Sequence, residues 1–149
     1  MKYKKEVSAG GIAYKKVESY KLQVISYKWL ITQHSQHKGW GFPKGLIGDT
    51  HKNEEMEQAA LREVEEEGGV KARIVVKKPI EVKYKYRFKD YLIDKTVYYF
   101  LMEYISGDPK NHDWEMMDAK FVNEEEVEKT LSFKSDQEAF KQALTLIKK

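Results

Sequence analysis

Residues Asn53 to Glu67 form an acidic, amphipathic helical pattern that ends on Gly68 and Gly69, and period-two alternation runs on both sides of it. Alternation rich in β-branched and aromatic residues predicts strands near Glu6–Lys16, Lys21–Thr32, Arg73–Val76, Ile80–Phe88, Thr96–Ile105 and Asp118–Val122. Asn53 is the expected N-cap of the central helix, with Met56, Ala59, Ala60 and Val64 among its buried positions. Two more helices follow: Asn123 precedes "EEEVEKTL" and Ser135 precedes "DQEAFKQALTLI", each a polar cap before acidic first-turn residues and an apolar stripe. Strands, helix, strands, then helices: this order predicts an α+β fold, a mixed sheet with helices packed against it.

The 149 residues, 41% of them hydrophobic, suffice for one core, so residues 1–149 are expected to form a single domain. No repeat, low-complexity segment or linker interrupts them. The absence of cysteine excludes disulfides, thiolate zinc sites and thiol nucleophiles, and suits a reducing cytoplasm. The N-terminus is charged and does not resemble an export signal, and no apolar run is long enough to cross a bilayer as a helix. A soluble cytoplasmic protein is expected, with no membrane role and no protein partner implied; a monomer and a homodimer are both compatible.

The net charge of +3 is unevenly spread. Residues 54–67 hold seven glutamates against Arg62 and carry −6, so the rest of the chain carries +9. Between Lys71 and Lys95 nine Lys or Arg residues face Glu81, Asp90 and Asp94. Such a field attracts a polyanion, with divalent metal held between acidic patch and ligand; a solvated lysine-rich surface accounts for the composition as well.

Within the central helix Glu63, Glu66 and Glu67 stand at i, i+3 and i+4, so their carboxylates share one side, while Glu65 points away. Three oxygen donors without His or Cys suit Mg²⁺, with Mn²⁺ as the alternative, better than zinc. Just upstream, "GWGFPKGLIGD" has the glycines and proline of a tight loop whose backbone can approach a metal or phosphate closely. Loop and helix together make a plausible phosphate-and-metal site.

These residues also resemble a known signature. "GLIGDTHKNEEMEQAALREVEEEGGV" is similar to the Nudix box, the loop-helix of hydrolases that cleave a nucleoside diphosphate linked to another group. Arg62-Glu63-Val64-x-Glu66-Glu67-x-Gly69-Val70 matches at every specified position, and Glu54 stands at the usual distance before Arg62. One departure is visible: Glu54 lies three residues too far from Gly45, and although Gly48 restores the formal spacing, Pro43-Lys44-Gly45 is the stretch that resembles the family's loop. A three-residue insertion within Leu46 to Asn53 is inferred. The resemblance implies the Nudix fold, an α/β/α sandwich with a central mixed sheet, the loop-helix and C-terminal helices. It further implies that Glu63, Glu66 and Glu67 coordinate metal, that a main-chain oxygen of Gly45 adds a ligand, and that Arg62 holds the loop to the helix through Glu54.

"VSAGGIAY", "GWGFPKG", "WEMMDAKFV" and "LSFKSDQEAF" extend the resemblance toward the diadenosine tetraphosphate hydrolase branch, especially its bacterial members. Cleaving a phosphoanhydride needs a water made more acidic by metal, neutralised phosphate oxygens and a base within hydrogen-bond reach. Lys44 and Lys95 are candidates for binding non-reacting phosphates as point charges. Glu115 matches a loop glutamate that serves relatives as base or additional ligand, and Glu66, read here as a ligand, is the rival base. For the adenine, Tyr84 and Tyr86 alternate with lysines and share one side of a strand, and Phe133 falls where relatives carry a base-stacking aromatic; core filling is the competing fate of each. His34, His37, His51 and His112 read as surface or substrate-proximal residues, because their spacing is not that of metal ligands. The leading expectation is Mg²⁺-dependent splitting of diadenosine tetraphosphate into ATP and AMP. Its alternatives are a pyrophosphohydrolase acting on nucleoside triphosphates or an RNA 5′ end, and, from another class, a nucleotide-sensing module without turnover.

Overall fold

The computed structural model of the chain describes residues 1–47 and 54–148. In chain order the strands are β1 (Lys2–Ser19), β2 (Val24–His34), β3 (Trp40–Gly41), β4 (Lys44–Leu46), β5 (Val70–Ile74), β6 (Ile80–Phe88), β7 (Tyr91–Gly107) and β8 (Met116–Val122). The helices are α1 (Met56–Gly68), between β4 and β5, then α2 (Glu124–Thr130) and α3 (Lys134–Ile147) at the end.

Among the described residues all eight strands join one mixed sheet. The long first strand runs parallel to β7 from Lys2↔Tyr91 to Tyr14↔Glu103, and every other pairing is antiparallel. β1 and β7 each serve two neighbours in succession. β1 pairs with β4 over Ser8–Gly10 and with β2 over Tyr14–Ser19, while β7 pairs with β6 through its first half and β5 through its second. The strands that β1 and β7 engage therefore diverge, which leaves a cleft beside β4 and β6.

Alternation along the central strands feeds two cores, one on each face. Ile12, Trp29, Ile31, Val97, Tyr99 and Leu101 pack with Phe140, Ala139 and Val127 of the C-terminal helices. Their sequence neighbours Ala13, Leu30, Phe100 and Met102 pack with Ala59, Ala60 and Val64 of α1. Trp29 and Phe140 meet edge to face with centroids 5.1 Å apart, a geometry that adds to the burial of two large side chains. The α/β/α layering inferred from the sequence is thus the observed architecture.

Several boundaries differ from expectation. α1 begins at Met56 with Glu55 as N-cap, whose backbone N–H donates to Gln58 Oε1 at 3.3 Å; Asn53, the expected cap, lies outside the described residues, as do Gly48, His51 and most of the inferred insertion. The helix runs through Gly68 and stops at Gly69, whose φ of 73° is the left-handed conformation that favours glycine. α2 has its expected cap, Asn123 Oδ1 accepting from Glu126 N–H at 2.9 Å. α3 instead starts at Lys134 after Phe133, so Ser135 lies within the first turn rather than at the cap. β5 occupies Val70–Ile74, not Arg73–Val76, because pairing with the far end of β7 starts directly after the Gly69 turn. None of the described helices is long and apolar enough to cross a membrane.

Candidate active site

The close approach of β4 to α1 creates the site. Gly10 and Gly11 of β1 lie against the Pro43–Lys44 backbone and α1 respectively, and the Gly11 N–H donates to the Pro43 carbonyl at 3.1 Å. One step further, Gly45 packs directly on the Glu63 carboxylate. A Cβ there would lie 2.2 Å from Glu63 Oε1, so only glycine leaves room for this contact.

Arg62 organises the glutamates. Its Nε donates to Glu54 Oε2 at 2.6 Å and Nη2 to Glu54 Oε1 at 2.9 Å, a bidentate clasp between the segment before α1 and the helix. Its remaining terminal nitrogen, Nη1, donates to Glu63 Oε1 at 2.8 Å and to Glu66 Oε2 at 3.0 Å. Glu67 turns to the loop, where Oε1 accepts the Lys44 backbone N–H at 3.1 Å. Glu65 is exposed, as its helical position requires. Among the described residues no three acidic or histidine side chains already converge as a metal cage. Instead Glu63 and Glu66 are drawn onto the guanidinium and Glu67 onto an amide.

Burial sets the electrostatics of this turn. Glu63 and Glu67 are each only 7% exposed. Desolvation pushes the Glu63 carboxyl up to about 7 against the pull of Arg62, with Glu66 and Glu115 adding to the rise. Burial likewise holds Glu67 well above the ordinary carboxylate range, and the neighbouring Glu63 charge adds to it. Two buried, mutually repelling carboxylates with oxygen-only donors have the chemistry that a hard divalent cation relieves, so the donor set fits Mg²⁺.

Beside the glutamates opens a cleft of about 620 Å³ lined by Lys44, Glu67, Tyr84, Tyr86, Lys95 and Phe133, among others. That volume is in the range of small-molecule sites. Tyr84 and Tyr86 stand side by side with centroids 6.1 Å apart, so both face the cleft as their alternation predicts. Tyr86 OH donates to Glu6 Oε1 at 2.7 Å, and Lys95 Nζ donates to the same oxygen at 3.3 Å. Burial draws the Lys95 ammonium down and Glu6 opposes it. Burial also acts to depress Lys44, but Asp136, Tyr84 and Glu67 outweigh it, and its net shift is upward.

Phe133 contributes another wall, extended by a pair of histidines. His37 meets Phe133 edge to face at 5.7 Å, and His34 stacks on His37 at 4.3 Å with ring planes 9° apart. His34 Nδ1 accepts the Gln36 N–H at 3.1 Å and His37 Nδ1 accepts the Gly39 N–H at 3.0 Å. Each neutral ring therefore carries its proton on Nε2. Glu115 lies outside this wall in the turn before β8, where its backbone carbonyl accepts the Ser35 N–H at 2.9 Å.

All the candidate residues except Glu115 thus fall into two adjoining groups. Gly45, Glu54, Arg62, Glu63 and Glu66 form the charged turn; Lys44, Tyr84, Tyr86, Lys95 and Phe133 line the cleft, and Glu67 belongs to both. Asp136 was missed by the sequence reading as a cleft residue. It is 2% exposed and accepts Tyr99 OH on Oδ1 at 2.7 Å. Its position in register with Ala139, Phe140 and Ala143 on the apolar stripe of α3 is the signal that could have found it. The partnership of Glu6 with Tyr86 and Lys95 joins residues distant in sequence and has no local signal.

The NUDIX domain family model matches residues 25–144 of the chain. In fold the chain is similar to the Ap4A hydrolase of C. elegans, with a TM-score of 0.68 and 20% identity over 95% of this chain and 98% of that one. It is similar also to the NUDIX domain of Shewanella oneidensis NrtR, solved with ADP ribose, with a TM-score of 0.61 and 19% identity over 97% of this chain and 89% of that one. In sequence it is 28% identical over 110 residues, 74% of its length, to a Mycobacterium tuberculosis protein named for the mutator MutT4. The chain spans 43% of the length of that curated relative.

Proposed function

Because the chain belongs to the Nudix family, we propose that it is a divalent-metal-dependent hydrolase of a phosphoanhydride in a dinucleoside polyphosphate, and that diadenosine tetraphosphate is split into ATP and AMP. The observation that carries this reading is one continuous site: buried glutamates on α1, two lysines and an aromatic slot open onto each other around Glu67 and Lys44.

Mg²⁺ held by Glu63, Glu66 and Glu67, with the Gly45 carbonyl as a further donor, would neutralise phosphate charge and make the attacking water more acidic. The chain's own residues supply the rest. Lys44 and Lys95 present ammonium groups to the non-reacting phosphates. Glu115 accepts the proton of the water whose oxygen attacks phosphorus, as the bond to the bridging oxygen breaks and that oxygen leaves with the nucleotide product. Tyr84, Tyr86 and Phe133 take one adenine between aromatic faces, a recognition tolerant of base identity. Arg62, tied to Glu54, fixes the helix against the segment that precedes it.

Product identification tests this. Purified protein with Mg²⁺ and diadenosine tetraphosphate is expected to give equal amounts of ATP and AMP on anion exchange. Release of pyrophosphate from nucleoside triphosphates or an RNA 5′ end far faster than dinucleoside cleavage would replace it with the pyrophosphohydrolase reading. Tight nucleotide binding with no turnover on any of these would leave the sensing module.

A further inference from the structure

We infer that Trp114 is the stacking platform for the second nucleobase of the substrate, the one that the aromatic slot does not hold. The inference rests on the dinucleoside reading above and extends it to a specificity-determining residue. Trp114 is 82% exposed, whereas Trp29 is 1% exposed. Exposing so large an apolar side chain forfeits its burial and leaves both ring faces open to a ligand.

The ring is carried by a turn fixed on both sides. Asp113 N–H donates to the Glu66 carbonyl at 2.8 Å, and Ser35 N–H donates to the Glu115 carbonyl at 2.9 Å. Within the turn, Asp113 Oδ1 accepts the Glu115 N–H at 3.1 Å and the Asp113 carbonyl accepts the Met116 N–H at 3.3 Å. The backbone that presents the indole is therefore already ordered, which lowers the entropy lost on binding.

Its place fits a two-headed substrate. Of the three glutamates Glu67 lines the cleft, while Glu66, one position before it, is bonded through its carbonyl to the turn that bears Trp114. A polyphosphate that leaves the Tyr84–Phe133 slot past Lys44 and crosses the glutamates emerges at this turn. Stacking there requires only a π-face, which every base has.

The test compares diadenosine tetraphosphate with adenosine 5′-tetraphosphate, which has the same phosphates and one base. Trp114→Ala is expected to raise KM for the dinucleoside about tenfold, in the range of one lost base-aromatic stack, and to leave the mononucleotide's KM within twofold. Trp114→Phe should restore most of the difference. Binding is read independently of turnover: the dinucleoside should protect Trp114 emission from iodide, the mononucleotide should not, and the protected signal should be missing in Trp114→Phe. Absence of wild-type turnover with this protection intact would sink the hydrolase reading and leave the platform standing. Equal KM changes on both nucleotides, or turnover without selective protection, would overturn the platform.

Discussion

Arg62 grips Glu54 with two parallel hydrogen bonds, at 2.6 and 2.9 Å, and uses its remaining terminal nitrogen to reach Glu63 and Glu66. One guanidinium thus links the segment before α1 to two of the proposed metal ligands. A lysine has neither the planar fork nor enough donors to make both contacts. Arg62→Lys is expected to lower the urea midpoint by an amount equivalent to about 2 kcal/mol, below the figure for stranding a buried charge because a cation remains. Turnover should fall by about a hundredfold as the glutamates lose registration. A midpoint and rate near wild type would show that the clasp organises nothing.

Glu63 supplies a pH signature. Its folded carboxyl is raised by burial to about 7 from the ordinary 4.5, so the folded state binds a proton that the unfolded chain releases earlier. The associated stability is present below about 4.5, declines as pH rises, and is lost above about 7. In chelator, wild-type Tm should therefore fall relative to Glu63→Gln between those values, and Mg²⁺ should shrink the gap by compensating the ionised carboxylate. Differential scanning calorimetry of both proteins across this window checks the sign. Parallel curves in chelator would contradict the raised carboxyl.

Gly45→Ala probes the loop against the helix. The new methyl would lie 2.2 Å from Glu63 Oε1, and that carboxylate is held by Arg62, so it has to swing away. A side-chain displacement leaves the sheet intact: far-UV circular dichroism should be unchanged while turnover drops by about a hundredfold or more. Wild-type turnover in the variant would mean that Glu63 is not needed in this position.

Truncating the slot should affect affinity first. Tyr84→Ala and Phe133→Ala each remove an aromatic face from the cleft, and each is expected to raise KM about tenfold with a smaller change in kcat. Steady-state kinetics on the preferred nucleotide separates this outcome from core damage, which would lower thermal stability and kcat together.

How far the sequence discloses the site depends on how local each interaction is. Glu63, Glu66 and Glu67 share one helix, so their spacing alone predicted a common side, whereas the tie of Arg62 to Glu54 followed only from the resemblance; Tyr84 and Tyr86 were placed likewise by strand alternation. A mixed sheet with helices packed against it was legible from the order of strands and helices, and the resemblance implied the α/β/α layering, in which neighbours such as Leu30 and Ile31 are buried in opposite cores. Less legible was where those side chains settle. Helical spacing points carboxylates to one side but does not reveal that Arg62 gathers two of them and the Lys44 amide the third. The His34–His37 stack depends on a turn geometry whose residues predict only a loop. The Glu6–Tyr86–Lys95 contact needs the parallel pairing of β1 with β7 before it has any meaning.

Asp136 and Tyr99 offer the last test, since their contact ties the cleft to the core. Both are buried, and Tyr99 OH donates to Asp136 Oδ1 at 2.7 Å while Oδ2 has no hydrogen-bond partner among the described residues. A buried carboxylate of this kind is tolerated when a cation is near, and Asp136 is the strongest of the charges that hold the Lys44 ammonium in its protonated form. Asp136→Ala strands the Tyr99 hydroxyl and removes the counter-charge, so it should cost about 1–3 kcal/mol in stability and raise KM for a polyphosphate substrate. In a double-mutant cycle, Tyr99→Phe should absorb most of the stability loss, because the hydroxyl that would be stranded is gone, but none of the KM effect, which passes through Lys44. Urea titration and steady-state kinetics of the two single variants and the double variant read these two quantities separately. If Tyr99→Phe also cancels the KM change, Asp136 acts on the cleft only by supporting the core, and its charge does not govern Lys44.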